Sequence, residues 1–368
     1  MTNRECTNAI LHYQKSDRLP IIHFGYWEET LEKWRDEGHI TAEEAAGWSD
    51  GNAFDSAIAA KLGFDFDWQP TLGSGSGLFP AFEWETVEER PDGSSLIRSP
   101  YGVTMLQIPG AGSIPAEVDH MLKDRKSWEE EFKHRFVFRP ERVPNYTHLK
   151  SEIPENPRGL HLGSLFGTLR DIIGIVDISY LYADDEELYK EIIDTSSGQI
   201  YACAEAVLKQ GVQFDYAHFW EDICFKNGPL ISPDIFAEYV APHYKRITDL
   251  CRSYGIDVIS LDCDGFIDSL LPIWLENGVN TMFPIEVGTW EASIAPWREK
   301  YGKQVLGVGG MNKNVFAYDK TAVDAEIERL RPLIALGGYI PCPDHRIPPD
   351  ALWENVQYYC DKLRKIII

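Results

Sequence analysis

From residue 211 onward the chain repeats one pattern. A short run of β-branched or aromatic residues is followed by polar residues and then by an amphipathic stretch. The runs fall at 213–221 (QFDYAHFWE), 256–263 (IDVISLDC), 279–286 (VNTMFPIE), 305–310 (VLGVGG) and 338–342 (GYIPC). Between and after them, helical periodicity marks 233–254, 267–277, 289–301, 319–336 and 350–365. Strand then helix, repeated, predicts parallel βαβ units. The runs lack polar alternation, as strands do when helices cover the sheet. The first half is less regular. Residues 20–27 (PIIHFGYW), 63–68 (GFDFDW) and 158–166 (RGLHLGSLF) read as three more strands, and 41–61 as helical. Residues 82–107 change character and read as antiparallel strands with a hairpin turn at Asp92-Gly93. The expectation is one domain over 1–368, an α/β (β/α)₈ TIM barrel, with a β-hairpin excursion near 73–115.

Composition narrows the function classes. The chain has 35 basic and 58 acidic residues, a net charge of −23, which opposes nucleic acid and anionic membrane surfaces as partners. No apolar stretch reaches the ~18 residues of a membrane span. The first twenty residues carry scattered charge and no apolar core, so they do not read as a secretory signal. The seven cysteines are odd in number and irregularly spaced, so they read as reduced, buried thiols of a cytoplasmic protein.

In a barrel the active site lies where the strands end. The expected strand ends carry Asp215, His218, Glu221 and Asp222; Asp262 and Asp264; Glu286; Lys313; and Asp344, His345 and Arg346. Asp262 and Asp264, two apart on a strand, share a face. Two close carboxylates call for a cation or a proton between them, so a divalent metal is expected between Asp262 and Asp264, and His345 is a candidate metal ligand or proton carrier; the resemblance given below implies that the three form one site, with zinc a candidate. A basic partner, Lys313 or Arg346, is the competing arrangement. Glu221, Asp222 and Glu286 are the candidate proton donors. His23, Tyr26, Trp27, His161, His218, Lys313 and Arg346 are candidate substrate-binding residues. Asp264 also reads as a helix cap, and Tyr26 and Trp27 as core. No dinucleotide fingerprint, P-loop or nucleophile elbow is present.

Several segments together resemble the uroporphyrinogen decarboxylase superfamily: DRLPI at Asp17, EDICFKNGPLISP from Glu221, DCDGFI from Asp262, FPIEVG from Phe283, YGKQVLGVGGMNK from Tyr301 and GGYIPCPDHRIPPDALWENVQYY from Gly337. The resemblance implies a distorted (β/α)₈ barrel and either decarboxylation or methyl transfer linked to a corrinoid protein. Haem-pathway decarboxylases of this superfamily carry an arginine-rich segment after the first strand. Here that place reads GYWEETLEKW, so the pattern is closer to the methyltransferase-like branch. That branch holds zinc with a His-x-Cys pair before a glycine and a later cysteine. Asp262-x-Asp264-Gly265 matches the first place and His345 the second, with the thiolates replaced. The expected function is therefore transfer of a methyl group from a small methylated substrate to a corrinoid protein. A decarboxylase and a non-catalytic corrinoid- or small-molecule-binding subunit are the alternatives.

Overall fold

The computed structural model describes residues 1–109 and 115–366. Its strands, in chain order, are β1 (Ile22–His23), β2 (Phe66–Asp67), β3 (Leu72–Gly73), β4 (Glu85–Glu89), β5 (Ser95–Arg98), β6 (Val103–Gln107), β7 (Ala116–His120), β8 (Gly159–Gly163), β9 (Tyr216–Trp220), β10 (Cys224–Phe225), β11 (Gly228–Pro229), β12 (Val258–Asp262), β13 (Thr281–Phe283), β14 (Leu306–Met311) and β15 (Tyr339–Pro343). Seven of them form one parallel sheet in the order β15-β14-β13-β12-β9-β8-β3, and β1 pairs in parallel with β2.

These two sheets are arcs of one ring. The second barrel strand is broken in two: β2 pairs with β1, and β3, four residues later, pairs with β8. The ring closes where Tyr26 bridges Ile347, with Ile347 N donating to Gly25 O at 3.1 Å. Counting β2 and β3 as one position gives the eight positions of a distorted (β/α)₈ barrel. The run at 63–68 thus supplies only half of its strand, because the chain changes hydrogen-bonding partner between Asp67 and Leu72.

The barrel strands are buried on both faces; every residue of β12, VISLD, is inside. That explains their unbroken apolar runs. The outer helices bury one stripe each, as in Ala241–Ser253, where Tyr244, Ile247, Thr248 and Cys251 face inward and Arg246 and Asp249 outward. The segment expected as one helix over 41–61 is two, Ala42–Gly47 and Ala53–Leu62. The second starts at Asn52, whose side chain accepts from Asp55 N. No helix among the described residues is long and apolar enough to cross a membrane. The seven cysteines are free and buried.

The excursion is a four-stranded antiparallel sheet, β4-β5-β6-β7, and not a single hairpin. The turn at Asp92-Gly93 joins β4 to β5, with Gly93 at φ +84° and Asp92 accepting from Ser94 N. The sheet runs on to His120. Part of the expected 73–115 span, residues 110–114, lies outside the described residues.

Two strand exits are locked together by backbone alone. Gly309 in β14 sits at φ +126°, and a Cβ there would lie 1.7 Å from Pro284 O. Gly310 N donates to the same carbonyl at 2.8 Å. Gly309→Ala should therefore lower the unfolding free energy by about 2–4 kcal/mol. An unchanged urea midpoint would show that the two exits are not in this contact.

Candidate active site at the barrel mouth

Four acids gather where β9, β12 and β13 end. Asp262 closes β12 and is buried; Asp264 follows it, part exposed. Asp222 lies two residues past β9, and Glu286 three past β13. His345 reaches over from the end of β15, its Nε2 3.3 Å from Asp264 Oδ2. The imidazole is fixed by rings: it stacks on Trp27 at 5.3 Å and 16°, with Phe24 at 5.2 Å on a tilt. The backbone is strained beside two of the acids. Asp222 has φ +46° and Ile285, next to Glu286, φ +60°, a conformation that costs about 1–3 kcal/mol for such residues.

Burial lifts the carboxyls of Asp262, Asp222 and Glu286 above their ordinary range, and in each the charge of Asp264 adds to the lift. The mouth therefore holds Asp264 against an imidazole, surrounded by three acids whose carboxyls are raised above their ordinary range.

Other expected residues fall elsewhere. Glu221 is enclosed by donors. It is fully buried, and its oxygens accept from Leu165 N (2.7 Å), Gly167 N (2.8 Å), Phe166 N (3.0 Å), Ser164 Oγ (3.0 Å) and Tyr244 Oη. The first four donors come from the loop after β8 and the start of the helix Gly167–Ile173, where an anion is favoured, and Tyr244 comes from the helix Ala241–Ser253. Asp215 sits at the opposite end of β9 and binds Arg4 Nε at 2.8 Å. Lys313 and Arg346 are not free cations for a substrate. Lys313 Nζ is 3.5 Å from Asp344 Oδ1, and Arg346 grips Asp50 with both terminal nitrogens, at 2.8 and 2.7 Å. Neither reaches between Asp262 and Asp264 as a basic partner. Asp344 also accepts from Val287 N and Gly288 N at 2.8 Å, tying the β15 exit to the β13 exit. His23, Tyr26 and His218 are buried in the wall; burial pushes both imidazoles down to about 3. Of the expected substrate residues, Trp27 stands at the mouth beside His345.

The comparisons agree with this architecture. The family model for uroporphyrinogen decarboxylase (URO-D) matches residues 150–366, more than half of the chain. The chain belongs to the URO-D family. Among solved structures, a methyltransferase from Methanosarcina mazei is similar at 13% identity and a TM-score of 0.59, covering 99% of this chain and 98% of that one. A B12-independent methionine synthase from Shewanella sp. W3-18-1, in complex with selenomethionine, aligns at 11% identity and a TM-score of 0.47, over 94% and 96% of the two chains. No curated protein matches the sequence.

In this URO-D family member the expected metal trio does not assemble. Asp262, Asp264 and His345 do not form a group at common ligand distance among the described residues; the group that does is His23, Asp55 and Asp67, within 4.8 Å of one another. Asp55 comes from the helix Ala53–Leu62, and Asp67 stands opposite His23 in the β1–β2 register. That group has the wrong protonation pattern for a metal. Gly25 N–H donates to His23 Nδ1 at 3.1 Å, so the neutral ring carries its proton on Nε2, the nitrogen facing Asp55 at 3.8 Å. A ligating histidine does the reverse, donating from its far nitrogen. Burial pushes Asp55 up to about 6 and Asp67 well above its ordinary value. Asp55 and Asp67 escaped notice in the sequence; the strand alternation FDFD was the available signal for Asp67.

Beside the mouth lies a cavity of about 460 Å³. One wall is the β8–β9 rim, with His161 and Trp220; the roof is the antiparallel sheet, with Val103, Met105 and Glu117. Asp171 lines it and is hydrogen-bonded to Arg170, which also donates to Asp222 O at 2.7 Å. Arg170 thus links Asp171 of the cavity wall to Asp222 of the mouth. His161 Nδ1 accepts from Gly163 N at 2.9 Å, leaving Nε2–H as a donor.

Two outcomes follow from this chemistry. Glu221→Gln replaces an acceptor with an NH₂ facing N–H donors. It should lower unfolding free energy by about 2–4 kcal/mol; intact stability with lost turnover would instead make Glu221 a reacting acid. Burial pushes Asp171 up to about 6 from 3.8, against the pull of Arg170. A carboxyl raised by folding contributes stability below its unfolded value and loses it as pH rises through the folded one. The melting temperature of Asp171→Asn minus that of the wild type should therefore rise between about pH 4 and pH 6. A pH-independent difference would contradict the shift.

Proposed function

We propose that this URO-D family protein is a methyltransferase that takes the methyl group of a small methylated compound, a methyl ether or a methylamine, and passes it to a corrinoid held by a separate protein. The observation that carries the reading is the His345–Asp264 pair, held under Trp27 among three acids whose carboxyls are raised above their ordinary range. Removing a methyl group leaves an electron pair on the heteroatom, and that pair takes a proton from His345. Asp264 holds the ring in place and stabilises its imidazolium form before the proton is given up, which leaves a neutral imidazole. Asp222 and Glu286 stand by to resupply the proton. The corrinoid supplies the nucleophile that receives the methyl group. The reading uses these residues and the corrinoid alone and routes no step through a metal.

The cations argue against a substrate with many carboxylates. Lys313, Arg346 and Arg170 are each tied to a carboxylate of the chain, and the arginine-rich segment expected of haem-pathway decarboxylases is replaced by GYWEETLEKW. The cavity beside the mouth argues against a purely structural subunit.

The test is methyl transfer from methyl ethers and methylamines to free cob(I)alamin, followed by absorbance. His345→Gln and Asp264→Asn should each lower kcat about 100-fold or more while leaving the fold intact by circular dichroism. Release of carbon dioxide from a carboxylated substrate, with no methyl transfer from any donor, would replace this reading with a carboxy-lyase.

A further inference from the structure

The cavity roofed by the antiparallel sheet has a chemistry that the mouth alone does not explain. Its wall combines the rings of Tyr101, Phe136, His161 and Trp220 with the carboxyls of Glu117 and Asp171, and no lysine or arginine lines it among the described residues. Ring faces are negative, and with carboxylates they form a setting for an organic cation that sheds little water. A neutral aromatic guest would need the rings without the acids, and an anionic guest would meet repulsion.

We infer that this cavity takes the ammonium head of a methylated amine, so that the substrate class is a cationic methylammonium compound rather than a methyl ether. The inference rests on the methyl-transfer reading of the neighbouring mouth. Two further observations support it. The carboxyls of Glu117 and Asp171 face the same cavity, where burial lifts Asp171 against the pull of Arg170 and Glu117 adds a smaller lift. The whole chain, at −23, draws cations toward it and repels anions. His161, neutral in its buried site, offers its Nε2–H to a hydroxyl or carboxylate at the far end of such a molecule. Size agrees: the volume of about 460 Å³ is in the range of small-ligand sites.

The chemistry balances. The carbon–nitrogen bond of the methylammonium breaks, its electron pair stays on nitrogen, and the methyl group passes to the corrinoid nucleophile. The amine so formed takes one proton from His345 and leaves as an ammonium ion.

The experiment is calorimetric binding to the full-length protein, with tetramethylammonium and choline as probes and the uncharged tert-butyl isostere of choline as control. Choline should bind at least about tenfold more tightly than its isostere. Trp220→Leu and Asp171→Asn should each weaken choline about tenfold. Glu117→Gln, on the exposed strand β7, should weaken it in the same direction with little risk to folding. Equal binding of choline and its isostere, no binding of either cation, or full affinity in all three variants would overturn the inference. The two readings fail separately. Ammonium binding without any methyl transfer would leave the cavity assignment standing and remove the methyltransferase. Methyl transfer from ethers without ammonium binding would do the opposite.

Discussion

The mouth is organised by one buried carboxylate enclosed by donors. Glu221 lies just past β9 and gathers hydrogen bonds from Ser164, Leu165, Phe166, Gly167 and Tyr244. Burying an ionisable group costs several kcal/mol unless it is fully hydrogen-bonded. Here five donors offset that cost, three of them backbone N–H groups, two at the entry to a helix. The contact is close on the other side too: a Cβ on Gly167 would lie 1.9 Å from Glu221 O. The loop after β8 can therefore occupy no other place. That loop carries part of the cavity wall, and the next residue after Glu221 is Asp222, held in its left-handed backbone.

From this clamp the site divides into two compartments with different electrostatic tasks. In the mouth, burial and the neighbouring Asp264 push the carboxyls of Asp262, Asp222 and Glu286 upward. The cavity sets the carboxyls of Glu117 and Asp171 among ring faces. Arg170 stands between them, bonded to Asp171 on one side and to the backbone of Asp222 on the other. Its charge pulls the carboxyls of both Asp171 and Asp222 downward, against the lift of burial.

Much of the fold was legible in the sequence, because a parallel strand buried on both faces leaves a dense apolar run that little else produces. The broken second strand was not. Residues 63–68 show one run, and the change of partner from β1 to β8 is a property of the ring, invisible to any local pattern. The same holds for the site. Strand-end position pointed to Asp264 and His345 and to their meeting, yet it gave Glu221 the same standing. Nothing within the sequence near Glu221 announces that its five donors arrive from 23 to 57 residues away. Arg346 and Lys313 looked free for the same reason; Asp50, which holds Arg346, is 296 residues distant.

The closure of the ring has a consequence for how the chain reaches this state. The last join, between the segment after β1 and the segment after β15, links residues more than 300 positions apart. Joining such distant segments early would require a large loss of chain entropy before any contact compensates it. The strands from β8 to β15 are sequential neighbours in the sheet and assemble from nearby partners. The first strand, with its stacked His23 and Tyr26, must wait beside an open edge until Ile347 arrives. During synthesis on the ribosome that edge stays unpaired for most of the chain's emergence, so the acidic helix Glu28–Asp36, which follows it at once, is well placed to keep the waiting strand from pairing with the wrong neighbour.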